Sequence, residues 1–369
     1  MASNNKLLEV PEQVSKVLFP NDQLSIARFL EYPLPAVTTV VHDLSLKLED
    51  FFDTMVPSDP VNLFQLAKQP LPSPHMVKKL IEDLPKQVLA GKQSITCAHG
   101  GMFNLKRLPF WILGYWFKVL KYHRILSEWL KADSWVWSLL SHSKNDEDRD
   151  VIKDVLEMFT LLPWSGTLCG VDWTMSIQAL LMLLGTKWLS TDHMDLLLYA
   201  TKRRLSSKLD VLQQYQLYEL AFVNKLISAY QTEGKIPDRI HKVAAELASG
   251  KCLGIGGYVN VNGNHWVSWA VSKDWTLYYG DSQSNEVDKN VEAALTWWLQ
   301  PYSRQAISLK RMDISAQLDS YSCGILSDNA LEHFFASDVP LVSQAQIPVL
   351  RCKTFLDISR RHLAMVLYS

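Results

Sequence analysis

The spacing of hydrophobic residues changes partway along the chain, and the change predicts two kinds of secondary structure. In the first part, hydrophobic positions recur at helical intervals and predict two helices over 107–140 and one over 209–230. Further on, residues 257–283 alternate hydrophobic and polar positions around an Asn-Gly turn, which is typical of strands joined by short turns. Residues 304–314 contain another predicted strand, and a helix is predicted to begin at Cys323. Helices around a short mixed sheet indicate an α+β fold.

A polar and acidic segment at 141–150 separates two regions that are rich in aromatic residues. Such segments commonly connect domains. The sequence therefore predicts a mainly helical N-terminal domain at 1–150 and a second domain at 151–369. The tryptophans within 107–140 favour core packing of the first domain, and a docking surface for partner proteins is the alternative.

Composition excludes several classes of protein. At 48% hydrophobic and 20% charged residues, the chain can bury sizeable cores, and its net charge of -1 offers no basic field for nucleic acid. Its start lacks the pattern of a secretory signal, and the longest apolar run, at 177–185, is shorter than the roughly 20 residues that cross a bilayer. Five cysteines, an odd number, favour a reducing compartment over a disulfide framework. We therefore expect an intracellular protein of the nucleus or cytoplasm, with no membrane partner and no clear nucleic-acid binding.

Cys323 stands where a nucleophile would be useful. It begins a predicted helix, with Ser320 or Ser322 as the N-cap. A helix N-terminus favours a thiolate, and its free backbone N–H groups can bind an oxyanion. Gln317, six residues upstream on the preceding loop, offers its side-chain amide as a second donor.

His265 and Asp281 supply a base and a group that can orient it. His265 starts a predicted strand and Asp281 directly follows the next strand, so a hairpin brings both to one edge of the sheet. A carboxylate on one imidazole nitrogen fixes the tautomer and leaves the other nitrogen for a thiol. Three competing carboxylates do not directly end a strand paired with that of His265: Asp274, Asp288 and Asp319.

Three sequence blocks resemble the catalytic blocks of the ubiquitin-like-specific cysteine proteases, the SUMO-protease family. The match comprises His-Trp at 265–266, Asp-Ser at 281–282, and Gln317 six residues before Cys323, with Tyr321 two residues before that cysteine. The resemblance covers roughly the part of the chain after residue 165. It implies a papain-like cysteine peptidase domain with a short mixed sheet flanked by helices.

A fourth block, Lys-Trp-Leu-Ser at 187–190, resembles the Trp-Leu segment of the same family. There, this tryptophan and the one after the catalytic histidine clamp the Gly-Gly tail of the modifier. The resemblance therefore implies that Trp188 and Trp266 form a tunnel. Such walls select glycine, because only a tail without side chains passes between two indoles.

The predicted function is cleavage after the C-terminal glycine of a ubiquitin-like modifier ending in Gly-Gly, in deconjugation or precursor processing. No cofactor or metal is required. Thr191 replaces an acidic residue of the family and Ser322 a common aspartate, which leaves the identity of the modifier open. Residues 108–135 also resemble segments beside such protease domains in fungal transposon-associated proteins. The alternatives are a processing protease for a mobile-element or polyprotein substrate, and a non-catalytic modifier-binding module.

The other cysteines lack this sequence context. Cys97 and His99 have no second ligand pair at metal-site spacing, so no metal site is predicted. Cys169, Cys252 and Cys352 are predicted to be buried, small apolar residues.

Overall fold

The computed structural model describes residues 6–37, 48–57, 61–96, 107–206 and 214–367. Among them, the residues within 1–131 and 159–166 form one compact unit, and those within 132–158 and 167–369 form a second. The predicted domain boundary after residue 150 lies inside a helix, Asp146–Leu161, that contributes to both units. The assignment of domains to 1–150 and 151–369 stays a prediction.

The first unit is mainly helical and has an aromatic core. Trp164 stacks on Phe29 with ring centroids 4.0 Å apart, and its Nε1 donates to the carbonyl of Asn21 at 2.9 Å. The elements are α1 (Glu12–Leu18), α2 (Ile26–Leu30), α3 (Leu63–Lys68), α4 (Pro74–Leu89), the antiparallel strands β1 (Phe52–Asp53) and β2 (Ser94–Ile95), and the beginning of α5 (Trp111–His142).

The helix α5 corrects one prediction. Residues 107–140 were expected to form two helices, but α5 is a single helix of 32 residues, followed after a short turn by α6 (Asp146–Leu161). No glycine or proline interrupts the segment after Gly114, so nothing breaks the helix. Trp116 and Trp129 are buried as core residues, whereas Trp137 is exposed.

The second unit is built on a mixed five-stranded sheet in the order β3-β4-β5-β6-β7. The outer pairs β3–β4 and β6–β7 are parallel, and the inner pairs are antiparallel. The strands are β3 (Tyr215–Tyr218), β4 (Gly254–Val261), β5 (His265–Ser272), β6 (Thr276–Gly280) and β7 (Ser308–Arg311). The helices are α7 (Thr191–Ser206), α8 (Leu220–Gln231), α9 (Asp238–Ala248), α10 (Lys289–Leu299), α11 (Cys323–Phe335) and α12 (Ile347–Leu367). The predicted α+β fold, a short mixed sheet flanked by helices, is confirmed.

The prediction of a helix over 209–230 is wrong for the first half of this segment. Tyr215–Tyr218 pairs in parallel with β4 as an edge strand, and only the second half is helical, as α8. The start of the predicted helix, up to residue 213, lies outside the described residues. Aromatic residues suit a strand as well as a helix, and backbone pairing with β4 decides between the two.

The sheet separates two helical layers, and its central strand β5 is buried along nearly its whole length. On one side, Trp269 of β5 shares a core with residues of α8, α9 and α10, where Trp298 donates to the carbonyl of Ile240 at 3.1 Å. On the other side, α11 lies against β5, and Ser327 donates to the carbonyl of Trp266 at 3.0 Å. This packing places the N-terminus of α11 beside the start of β5.

Substitution of Gly257 tests the parallel pairing of the edge strand β3 with β4. A Cβ at this position would lie 2.3 Å from the backbone oxygen of Tyr218, so any larger residue must push β3 away from β4. We expect Gly257→Ala to lower the free energy of unfolding by about 1–3 kcal/mol in urea denaturation. Asn260→Ala, on the same strand, is the control and should change it by less, about 0.5 kcal/mol. Equal stability of the parent and Gly257→Ala would contradict this pairing.

Candidate active site

A tight turn fixes the position of His265. The β4–β5 hairpin turns through three residues, Asn262, Gly263 and Asn264, and the first two have positive φ, which asparagine and glycine tolerate. This turn pairs Val261 with His265 and places the histidine at the first position of β5. The predicted location of His265 at a strand start is confirmed.

Asp281 follows the last residue of β6, as predicted, and is hydrogen-bonded to His265. The distance from His265 Nε2 to Asp281 Oδ1 is 2.8 Å, and both side chains are almost fully buried. Because an ionised carboxylate only accepts, Nε2 carries the proton in this bond. The backbone N–H of Gln283 donates to Asp281 Oδ1 at 2.7 Å, and the side chain of Asn285 donates to Oδ2 at 3.2 Å. These bonds hold the carboxylate toward the imidazole.

The hydrogen bond between His265 and Asp281 shifts the pKa of both groups. Burial alone would lower the pKa of His265, but the hydrogen bond to Asp281 and the proximity of Cys323 outweigh it and raise the pKa from 6.5 to about 9. Burial would likewise raise the pKa of Asp281, but the bonds from His265 and Gln283 keep it below its usual value. His265 is therefore an imidazolium at neutral pH.

Cys323 is the first residue of α11 and is 1% exposed. Ser322 is the N-cap residue, as the sequence allowed, but its hydroxyl makes no capping bond and donates instead to Asp319 Oδ2 at 2.6 Å. His265 Nδ1, the nitrogen not used by Asp281, is buried and forms no hydrogen bond. Since Cys323 acts on the pKa of His265, this free nitrogen is available to the thiol.

Gln317 lies on the loop before α11, where it connects two parts of the site. Its backbone N–H donates to the carbonyl of Ser282 at 2.8 Å, and its Oε1 accepts from the Ser282 hydroxyl at 3.0 Å. Its Nε2 donates to the backbone oxygen of Asp319 at 2.8 Å. The amide that was predicted as an oxyanion donor is therefore engaged with the loop in this structure.

Asp319 organises that loop, a role that the sequence analysis missed. Its carboxylate accepts from the backbone N–H groups of Tyr321 and Ser322 at 3.0 and 2.8 Å, and from the side chain of Gln344 at 2.6 Å. Burial opposes ionisation, but these bonds keep the pKa of Asp319 below its usual value. An aspartate a few residues before a helix start is a known turn signal, and it would have identified this role.

Trp188 and Trp266 are brought together, but they do not enclose an open tunnel. Their ring centroids are 5.5 Å apart with an angle of 21° between the planes. Trp266 is fully buried, and its Nε1 donates to the carbonyl of Leu189 at 2.7 Å. Trp188 is half-buried, and its Nε1 has no hydrogen-bond partner. Trp266 is therefore anchored by its ring nitrogen, whereas the Trp188 ring is not.

The other candidate residues have separate environments. Cys252 and Cys352 are buried as predicted, whereas Cys169 is only half-buried, which corrects that prediction. Cys97 and His99 lie outside the described residues. Within the described ranges, no group of three or more His, Cys, Asp or Glu side chains is arranged to hold a metal. In the same part of the chain, no helix has the length and hydrophobicity to span a bilayer.

Comparison with known proteins finds similar structures but no matching sequence. No protein-family model and no curated protein sequence matches the chain. Its structure is similar to the C-terminal Ulp1 protease domain in complex with Smt3, the yeast orthologue of SUMO (18% identity, 59% of this chain and 96% of that chain, TM-score 0.44). It is also similar to the Ulp1-like SUMO protease catalytic domain of Chaetomium thermophilum (15% identity, 50% and 77%, TM-score 0.39).

A third similar structure is the Xanthomonas campestris effector protein XopD bound to ubiquitin (21% identity, 41% of this chain and 76% of that chain, TM-score 0.32). At this level of similarity the likeness carries no functional assignment. The assignment depends instead on the residues of the site.

The raised pKa of His265 can be tested through its partner. Because this pKa is higher in the folded protein than in the unfolded chain, the pair stabilises the fold fully below pH 6.5, and the contribution is lost as the pH rises through about 9. We expect Asp281→Asn to lower the pKa of His265 from about 9 to 6.5 or below, because burial then acts without the carboxylate.

An NMR titration of the imidazole resonances measures this change, with His265→Gln to assign the signal. Asp288→Asn is the matched control, because Asp288 caps α10 through hydrogen bonds to Asn290 and Val291 that asparagine can also accept. An unchanged pKa of His265 in Asp281→Asn would contradict the pairing.

Proposed function

We propose that this protein is a cysteine peptidase that cleaves after the C-terminal glycine of a ubiquitin-like modifier. The observation that carries the proposal is the buried His265–Asp281 hydrogen bond, which leaves His265 Nδ1 free beside Cys323 at a helix start. A binding module does not need a charged imidazole beside a thiol. These three residues have the relation of nucleophile, proton carrier and orienting carboxylate.

The reaction proceeds in two steps. An imidazolium at His265 favours the thiolate of Cys323, which attacks the carbonyl carbon of the terminal glycine. The tetrahedral intermediate collapses as His265 donates its proton to the leaving amine, and a thioester remains on Cys323. Water then attacks the thioester while neutral His265 takes its proton, which releases the glycine carboxylate and restores the ion pair. Asp281 keeps the imidazole oriented through both proton transfers.

Two groups are candidates to stabilise the oxyanion. The backbone N–H of Cys323 is at the first position of α11, where an N–H has no acceptor within the helix. The Gln317 amide lies on the same loop and is the second candidate, but it must first release one of its bonds to Asp319. We infer that substrate binding drives this exchange, because a developing oxyanion is a stronger acceptor than a peptide carbonyl.

The stacked tryptophans support a tail made of glycine. A peptide between two rings needs van der Waals contact on both faces, about 3.5–4 Å each, or roughly 7–8 Å in total. The present ring separation of 5.5 Å is too small, so the Trp188 ring must move before a tail can enter. Only glycine then fits without a further clash. This requirement favours modifiers ending in Gly-Gly, and their conjugates, as the substrates.

Modifier probes test the nucleophile and the substrate class together. We expect one member of a panel of ubiquitin-like modifiers with thiol-reactive C-termini to form a single adduct, located on Cys323 by peptide mass mapping. Cys323→Ser should keep the fold and form no adduct, and Cys352→Ser serves as the control for a buried thiol in the same unit. An adduct on another cysteine, or hydrolysis by Cys323→Ser, would remove the nucleophile assignment.

Gln317→Ala tests the oxyanion assignment. Loss of one oxyanion donor costs about 10²–10³ in turnover. We expect a loss of this size in kcat, with the adduct on Cys323 still forming slowly. Ser282→Ala is the matched control, because it removes only the hydroxyl that holds Gln317 Oε1. A decrease of less than about threefold in Gln317→Ala would place this amide outside the oxyanion site.

A further inference from the structure

Arg351 on α12 is a buried cation that the proposed reaction does not use. Arg351 is 1% exposed and is one of the largest fully buried side chains in the described part of the chain. Burying a guanidinium without a carboxylate partner is costly. Within the part of the chain that the structure describes, Arg351 forms no ion pair. Its surroundings should therefore explain why a charge is kept there.

The guanidinium binds backbone oxygens from three separate segments. Nη1 donates to the carbonyl of Met182 at 2.8 Å, and Nη2 donates to that of Lys187 at 2.7 Å. Nη2 also lies 3.5 Å from the carbonyl of Tyr321, whose ring centroid is 5.6 Å from the guanidinium carbon. The guanidinium is a planar fork, with several N–H donors at fixed angles, and it can make these contacts simultaneously. The ammonium group of a lysine cannot hold the same geometry.

Two of these segments carry the site. Lys187 immediately precedes Trp188, and on its other side the carbonyl of Leu189 accepts from Trp266. The backbone at Trp188 is thus held from both sides, whereas its ring nitrogen has no hydrogen-bond partner. Tyr321 lies two residues before Cys323, on the loop that Asp319 organises. Arg351 thus contacts both the Trp188 segment and the Cys323 loop.

The guanidinium of Arg351 also interacts with titratable groups. The titratable groups around it are Tyr321 and Asp319 on the loop, Cys323 on α11, Cys352 on its own helix and His193 on α7. Burial lowers the pKa of Arg351 to about 10, while the negative forms of Tyr321, Asp319 and Cys323 favour its charge. Arg351 therefore stays charged at neutral pH although it is buried.

We propose that Arg351 is a positioning residue of the peptidase site, which ties the backbone before Trp188 to the loop before Cys323. The role of this tie in turnover rests on the function proposed above. The tie itself does not, because the exposure of the buried Cys323 thiol can be measured without any modifier.

The experiment compares Arg351→Met, which removes both the charge and the fork, with Arg351→Lys, which keeps the charge alone. Arg360→Met is the matched control, because Arg360 lies on the same helix but is exposed and pairs with Asp154 at 2.6 Å. For each protein, the rates of iodoacetamide alkylation of Cys323 and of the buried Cys252 are measured at one pH by peptide mass mapping. Hydrolysis is measured on the modifier that labels Cys323. Circular dichroism verifies folding.

In Arg351→Met and in Arg351→Lys, we expect Cys323 to be alkylated about tenfold faster than in the parent, because the loop before it is no longer held and opens locally. The alkylation rate of Cys252 should stay that of the parent. In both variants kcat/KM should fall about 10–100-fold, because the carbonyls are no longer held together. Replacing a merely structural arginine would expose Cys252 as much as Cys323.

The proposal is overturned if Cys323 in folded Arg351→Met is alkylated no faster than in Arg360→Met, or if Arg351→Lys hydrolyses the modifier as fast as Arg360→Met. If Arg351→Met does not fold, Arg351→Gln replaces it in the same comparison. Failure of every modifier to react with the parent would reject the proposed function and leave the alkylation rates to decide whether Arg351 holds the loop before Cys323.

Discussion

The hydrogen bond between His265 and Asp281 is the interaction on which the site depends. It holds an imidazolium at the edge of the sheet, with one nitrogen occupied by the carboxylate and the other left for Cys323. Both side chains are buried, so the charges are stabilised by each other and by a few hydrogen bonds, and water contributes little. The turn before β5, the end of β6 and the start of α11 all converge on this pair. The fold forms the site by bringing the ends of these three secondary-structure elements together.

The site is closed around this charged centre. Trp188 stacks on Trp266, the Gln317 amide donates to Asp319, and Cys323 is buried. In the function proposed above, the Trp188 ring must move and the Gln317 amide must change partner when a tail enters. In contrast, the backbone that carries them is held firmly by Arg351 and by the Asp319 carboxylate. We infer that the backbone of the site is rigid and that its side chains move. A flexible tail can then open the site without reorganising the loops.

The sequence predicted the parts of the site that local signals specify. A turn before His265, a strand end before Asp281 and a helix start at Cys323 each have a clear pattern, and the fold places them as expected. The edge strand β3 could not be predicted, because its pairing with β4 lies far away in the sequence. The role of Arg351 was also hidden, since its partners come together only in the tertiary structure.

A crystal structure of the protein with a peptide aldehyde ending in glycine tests the central claim most directly. The account predicts a bond from Cys323 Sγ to the aldehyde carbon, with its oxygen near the Cys323 N–H and the Gln317 amide. It also predicts that the peptide backbone lies between Trp188 and Trp266, with the rings further apart than the present 5.5 Å. An unreacted Cys323, or a tail that lies outside a still-stacked tryptophan pair, would contradict the account.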